Sequence, residues 1–297
     1  MDKDQAILQQ LDESAPRGVR PEKAQAALAQ VPRLFDDLAS LEAELEGATR
    51  DAEATLRSAA RHLVSSGGKR IRPTVALLSC GACGGDLRAA VPFAVAAELT
   101  HSATLLHDDV IDDGPLRRGQ PASRVIWGNT VSVLAGDWLL TRALEIVAEH
   151  PARGPALPAL LATMRRLVEG EVKQLSLRGG FHATERDYFE VVEGKTASLF
   201  GWACAAGGWA AGDRGDAPLA LAAFGEGLGT AFQLVDDALD YAADPGRLGK
   251  RLGADLMEGK ATLPLIRALS AEPPLRLRLA PIAEGAEPGD DVCREVI

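Results

Sequence analysis

Apolar residues along most of this 297-residue chain recur at the three- and four-residue spacing of amphipathic helices. No stretch alternates in and out with β-branched residues for long enough to build a sheet. The pattern predicts helices near 23–47, 50–66, 72–83, 86–111, 129–149, 156–177, 185–211, 217–243 and 256–270. Glycine and proline break them at 65–68, 84–85, 114–115, 151–158, 179–180, 212–218 and 245–246. Short connectors make successive long helices antiparallel, so the expected fold is all-α: a single large antiparallel helical bundle, one domain over 1–297. Residues 271–291, rich in Pro, Glu and Gly, read as an exposed loop, and 290–297 as the first turns of a helix that stops at once.

Composition supports this. Hydrophobic residues make up 46% of the chain, ample for a large core, while aromatics make up only 4% and Ala and Leu abound, which favours helix over sheet. The longest run without Asp, Glu, Lys or Arg, 196–212, is 17 residues and Gly-rich, too short for a membrane span and suited to close helix packing. The opening residues carry no secretory signal pattern. Cys80 and Cys83 have CxxC spacing without a second pair and lie in apolar helix, so they, Cys204 and Cys293 are expected as reduced structural thiols of a cytoplasmic protein. A net charge of −10 argues against nucleic acid as a partner.

Chemistry enters with two acidic stretches, Asp108-Asp-Val-Ile-Asp112 and Asp236-Asp-Ala-Leu-Asp240, which share the pattern DDxxD. On a helix, positions i and i+4 share a face, so each stretch aims carboxylates at one spot. Both fall at the C-terminal ends of apolar helices, where the macrodipole already disfavours negative charge by about 0.3–1 kcal/mol per group. Clustered carboxylates there call for a multivalent cation, and all-oxygen donors point to Mg²⁺. Cations gather nearby in sequence: Gly67-Gly-Lys69-Arg70-Ile-Arg72-Pro at a helix start, then Arg117-Arg118-Gly, Lys195-Thr196, Lys250 and Lys260. They suggest two anion sites, one reached through metal and one bound directly. His101 and Gln233, each near an acidic stretch, are equally compatible with a structural role.

Taken together, these residues resemble the trans-isoprenyl diphosphate synthases (polyprenyl synthetases). The likeness runs from Gly67 to Pro73 through His101-Ser-Ala-Thr-Leu-Leu-His-Asp-Asp, Gly136-Asp-Trp, Lys195-Thr-Ala-Ser-Leu and Phe232-Gln-Leu-Val-Asp-Asp to Gly259-Lys-Ala-Thr-Leu-Pro264. It implies an isoprenoid-synthase bundle around a central apolar cavity. It also implies that Asp108, Asp109, Asp112, Asp236, Asp237 and Asp240 bind Mg²⁺, three ions when diphosphate is present. Arg117, Lys195, Thr196, Gln233, Lys250 and Lys260 would complete the allylic pocket, and Lys69, Arg70, His101 and Arg118 would hold isopentenyl diphosphate. Asp108, Asp109, Asp112, Lys195, Asp236 and Asp237 would be the catalytic set.

Small residues below the first acidic stretch, Ala103 and Thr104 with Thr100 deeper, imply a hexa- to decaprenyl product, with a farnesyl or geranylgeranyl synthase as the alternative. A class I terpene cyclase or a non-catalytic synthase subunit fits less well, because the second Asp set and the Gly67–Pro73 cations are intact. The resemblance further implies a homodimer, and relatives continue past residue 264 with more helices than remain here.

Overall fold

The computed structural model describes residues 34–242 and 253–283. The helices in order are α1 (Leu34–Ala48), α2 (Ala54–Ser65), α3 (Ile71–Ala82), α4 (Leu87–Ile111), α5 (Ser123–Glu149), α6 (Arg153–Leu177), α7 (Glu185–Val192), α8 (Ser198–Ala210), α9 (Ala217–Ala242), α10 (Ala254–Met257), α11 (Leu263–Ala271) and α12 (Leu275–Ala283). The only strands among the described residues are a two-residue antiparallel pair, β1 (Leu116–Arg117) with β2 (Gln120–Pro121).

α4 is the axis of the bundle. It packs on α5, α3, α8 and α1, and most of its residues from Ala90 to Leu106 are buried, which accounts for an apolarity that would otherwise suit a membrane-spanning length. α9 is also long and apolar enough for such a span, but it carries the second acidic stretch at its C-terminal end and leaves one face exposed. α8 lies buried between α3, α6 and α9, and its small residues let neighbours approach closely. A Cβ on Gly229 of α9 would lie 2.8 Å from Ala197 Cα, so that crossing needs glycine.

Five elements differ from the sequence pattern. The expected helix 256–270 is broken into α10, ending at Met257, and α11, which starts at Leu263 with a proline in its first turn, with turn and coil over 258–262 between them. α5 starts at Ser123 rather than near 129, because Gly128 (φ 83°) bends the chain while the helix runs on either side. The expected helix 185–211 is two helices joined by a π-helical turn, Glu193–Ala197. Within the segment expected as a loop, 275–283 form α12, whose Leu279 joins Phe181, Leu256, Leu265 and Leu269 in a small second core. The short strand pair went unforeseen because two residues show no period. The parts of the expected helices at 23–33 and 243, the breaks at 245–246, Lys250 and Cys293, and the final turns at 290–297 lie outside the described residues.

Candidate functional site

Lys195 and Thr196 sit in the π-helical turn, where one extra residue per turn rotates the side chains relative to α7 and α8. The turn is held close to α6: a Cβ on Gly170 would stand 2.8 Å from Lys195 N. Lys195 Nζ pairs with Asp108 Oδ2 at 3.4 Å and with Glu171, and donates to Gln174 Oε1 at 2.9 Å. Its neighbour Thr196 turns the other way, donating to Gln233 Oε1 at 2.9 Å, while Gln233 Nε2 donates to Asp237 Oδ1 at 2.7 Å. Adjacent residues thus reach one acidic stretch each: Asp237 of the second stretch lines a cavity, and Asp108 and Asp112 of the first pair with the cations Lys195, Arg178 and Lys260 on its wall. That cavity, about 160 Å³, is lined by Lys195, Lys260, Arg178, Asp237 and Asp255 with apolar Leu177, Ala183, Val191 and Val192.

The six aspartates are not equivalent. Asp109 and Asp237, the second of each pair, are buried. Asp109 accepts from Arg117 Nε at 2.8 Å, and its Oδ2 is buried without a partner. Burial raises its pKa and the Arg117 guanidinium opposes the rise. Asp237 Oδ2 accepts from the Tyr188 hydroxyl at 2.6 Å. Asp108 and Asp112 instead meet the site's cations: Asp112 accepts from Arg178 Nη1 at 3.0 Å and Lys260 Nζ at 3.1 Å. Asp236 is exposed, and Asp240 Oδ2 accepts from Asp255 N at 3.0 Å. Among the described residues, no three acid, His or Cys side chains gather closely enough to cage an ion by themselves. The donors at hand are hard carboxylate oxygens, which fit Mg²⁺ if a phosphate-bearing ligand completes its coordination.

The second group of cations lies where α3 begins. Arg70 has a left-handed backbone (φ 46°), and Ile71 opens the helix. This turn leads Arg70 to Glu42 (2.7 Å and 3.1 Å), the buried Glu98 (2.7 Å) and Val64 O (2.7 Å), which occupy its donors. Arg70 is therefore engaged as a strut joining α1, α2 and α4, and the geometry does not present it to an anion. Arg72 is less committed: its guanidinium lies 4.6 Å over the Phe200 ring, its buried Nε has no partner, and burial lowers its pKa to about 10. Lys69 Nζ lies 5.6 Å over the Phe232 ring, and the Arg118 guanidinium lies against Gly68, where a Cβ would be 3.1 Å from it. His101 faces these cations; burial, then Arg72, Arg118, Arg117 and Arg70, hold its pKa well below the usual value, so it is neutral. His107 points to α5 instead, bonding Val133 O at 3.2 Å.

Arg117 is thus found on Asp109, and Lys195, Thr196, Gln233 and Lys260 cluster at the cavity as the sequence suggested. Ala103 and Thr100 are fully buried in the main core, and Thr104 donates to His101 O at 2.8 Å. Sequence reasoning missed Arg178, Tyr188 and Glu171, for which no motif stands out. Asp255, between Lys250 and Lys260 in sequence, is likewise marked by no motif. Burial, then Asp240 and Asp237, push the Asp255 pKa up to about 7. Cys80 and Cys204 are buried free thiols, and burial lifts Cys80 to about 11, as expected for structural residues.

Residues 53–297 match the sequence model of the family described as Polyprenyl synthetase. A heptaprenyl diphosphate synthase component 2 from Geobacillus stearothermophilus is 41% identical over 254 residues, 86% of this chain and 78% of that protein. Octaprenyl diphosphate synthase of Escherichia coli is 43% identical over 208 residues (70% and 64%), and geranylgeranyl diphosphate synthase of Methanosarcina mazei 41% over 229 residues (76% and 70%). Among solved structures, a polyprenyl synthase from Caulobacter crescentus complexed with calcium and isoprenyl diphosphate is 37% identical, with a TM-score of 0.83 over 89% of this chain and 82% of that one. With its all-helical fold and two acidic stretches linked through Lys195 and Thr196, this chain belongs to the polyprenyl synthetase family.

Proposed function

We propose that this protein is a trans-polyprenyl diphosphate synthase that joins isopentenyl diphosphate to an allylic diphosphate and repeats the condensation to a hexa- to decaprenyl product. The observation that carries this reading is the bridge made by Lys195 and Thr196, which ties both DDxxD stretches to one cation-lined cavity. Matched relatives include both long- and short-chain synthases, so product length rests on the small side chains of Ala103, Thr104 and Thr100.

Asp108, Asp112, Asp236 and Asp240 are the carboxylates that would hold Mg²⁺ against the allylic diphosphate, with Asp109 and Asp237 anchoring the two stretches. Bound there, Mg²⁺ would neutralise the leaving diphosphate so that its allylic C–O bond ionises. Lys195 and Lys260 would bind the oxygens of that diphosphate, turning from the carboxylates they now meet, with Thr196 beside them. Lys69, Arg72, His101 and Arg118 would hold isopentenyl diphosphate and orient its double bond toward the cation. The apolar walls, including Leu177, Val191 and Val192, exclude water that would quench it. Proton loss to the departed diphosphate restores the double bond, and no covalent nucleophile is needed.

Two exposed apolar rows, Val125, Ile126, Val133 and Leu134 on α5 and Leu161, Val168, Val172 and Leu175 on α6, support a homodimer, and the free thiols suit a cytoplasmic setting.

The test is incubation of the purified protein alone with Mg²⁺, labelled isopentenyl diphosphate and geranyl, farnesyl or geranylgeranyl primers, with products separated by chain length. Hexa- to decaprenyl products are expected. A ladder ending at farnesyl or geranylgeranyl refutes the long-chain assignment, a cyclised hydrocarbon indicates a terpene cyclase, and inactivity without a second protein indicates a partner subunit.

A further inference from the structure

Tyr188 is buried in α7, and its start is fixed by a capping box in which Thr184 accepts from Asp187 N and Asp187 accepts from Thr184 N. The ring packs with Ala183, Val192 and Ile266 and meets Phe189 edge-on at 5.4 Å between centroids. Those contacts hold the ring whether or not it bears a hydroxyl. The hydroxyl donates to Asp237 Oδ2 at 2.6 Å, while Gln233, oriented by Thr196, donates to Oδ1. Both oxygens of Asp237 are thereby held by protein donors, in a carboxylate flanked by Asp236 and facing Asp255 across the cavity.

We propose that Tyr188 is a positioning residue for the metal-dependent half of the site. Its hydroxyl locks Asp237 and, through Gln233 and Thr196, ties the end of α9 to the turn that carries Lys195, fixing where Asp236 and Asp240 stand. The inference rests on the function proposed above. It assigns Tyr188 no contact with the reacting atoms. Groups that orient carboxylates at a metal site cost tenfold or more in affinity when removed.

The experiment compares wild type with Tyr188→Phe, Asp237→Asn and the double variant. Inorganic diphosphate is titrated calorimetrically with and without Mg²⁺, so that the difference isolates the metal-dependent site, and KM is measured for each substrate. Tyr188→Phe is expected to weaken Mg²⁺-dependent diphosphate binding by about tenfold and raise the allylic KM by a similar factor. The isopentenyl diphosphate KM and the melting temperature should hold, and the change should add little in the Asp237→Asn background. Unchanged Mg²⁺-dependent binding, equal losses for both substrates, a large drop in melting temperature, or full additivity with Asp237→Asn would each overturn the role. A wild-type protein without prenyl transfer, but with the calorimetric difference intact, would remove the functional reading and leave the positioning role standing.

Discussion

Lys260 Nζ lies 3.1 Å from Asp112 Oδ2, joining the end of α4 to the segment after α10 across 148 residues of chain. Burial works against the lysine's charge, but Glu258 and Asp112 more than offset it and hold its pKa above the ordinary value. The ammonium therefore occupies a carboxylate that a divalent ion would need, and in the proposed function it would move to phosphate when a polyanion arrives.

Lys260→Gln should then act in opposite directions on two ligands. Mg²⁺ alone should bind more tightly, because Asp112 loses a competitor, while the allylic diphosphate loses a charge-assisted partner and its KM should rise about tenfold. Calorimetry with Mg²⁺ alone, set beside the allylic KM, checks both signs. A fall in both affinities would show that Lys260 supports the site as a whole.

Much of this site was legible in the sequence because it depends on local spacing. The DDxxD stretches and the helix ends that carry them follow from helical period and from short connectors, while a pocket role for Lys195 and Thr196 was implied by the family resemblance. What escaped was set by backbone turns and by contacts distant in sequence. Arg70 and Arg72 look alike as letters, yet Arg70, left-handed before α3, is tied to Glu42, Glu98 and Val64 O while Arg72 lies over Phe200. Arg178 reaches Asp112 from 66 residues away, and Tyr188 reaches Asp237 from 49, distances over which residue spacing carries no signal. The π-helical turn leaves the hydrophobic period of its flanks intact, so 185–211 read as one helix.

His101 gives a pH test of the second anion site. Half-buried among arginines, it is neutral when the site is empty. An incoming diphosphate brings opposite charge and raises its pKa, so binding takes up a proton and strengthens as pH falls. The ligand's own protonation works the other way. The informative quantity is therefore the ratio of isopentenyl diphosphate affinities, wild type over His101→Gln, which should grow severalfold from pH 8 to pH 6. A ratio independent of pH would place His101 away from the bound anion.

Asp255 gives a stability test. With its pKa pushed up to about 7, mainly by burial, it differs from the unfolded carboxyl near 3.8. As pH rises between those values the unfolded chain releases this proton and the folded one retains it, so stability is lost across that window and stays lost above pH 7. Asp255→Asn removes the penalty and should stabilise the metal-free protein at pH 8 by on the order of 2–4 kcal/mol, with little effect near pH 4. Urea melts at the two pH values measure this. A variant less stable at pH 8 would mean that the ionised carboxylate is held by partners that outweigh its burial.

Product length turns on Ala103. It lies five positions before Asp108 on α4, on a helix whose deeper residues Thr100, Ala97 and Ala96 are also small and fully buried. If the prenyl chain grows along this helix, a bulky side chain at 103 meets it after the first additions, so Ala103→Phe should shorten the product and spare the first condensation. The site is packed, with Ala103 showing no exposed surface, and an added ring should also lower stability by about 1–3 kcal/mol through overpacking. Product chromatography and a melting curve separate the two effects. A destabilised variant that still makes the wild-type product would show that the chain leaves the site by another route.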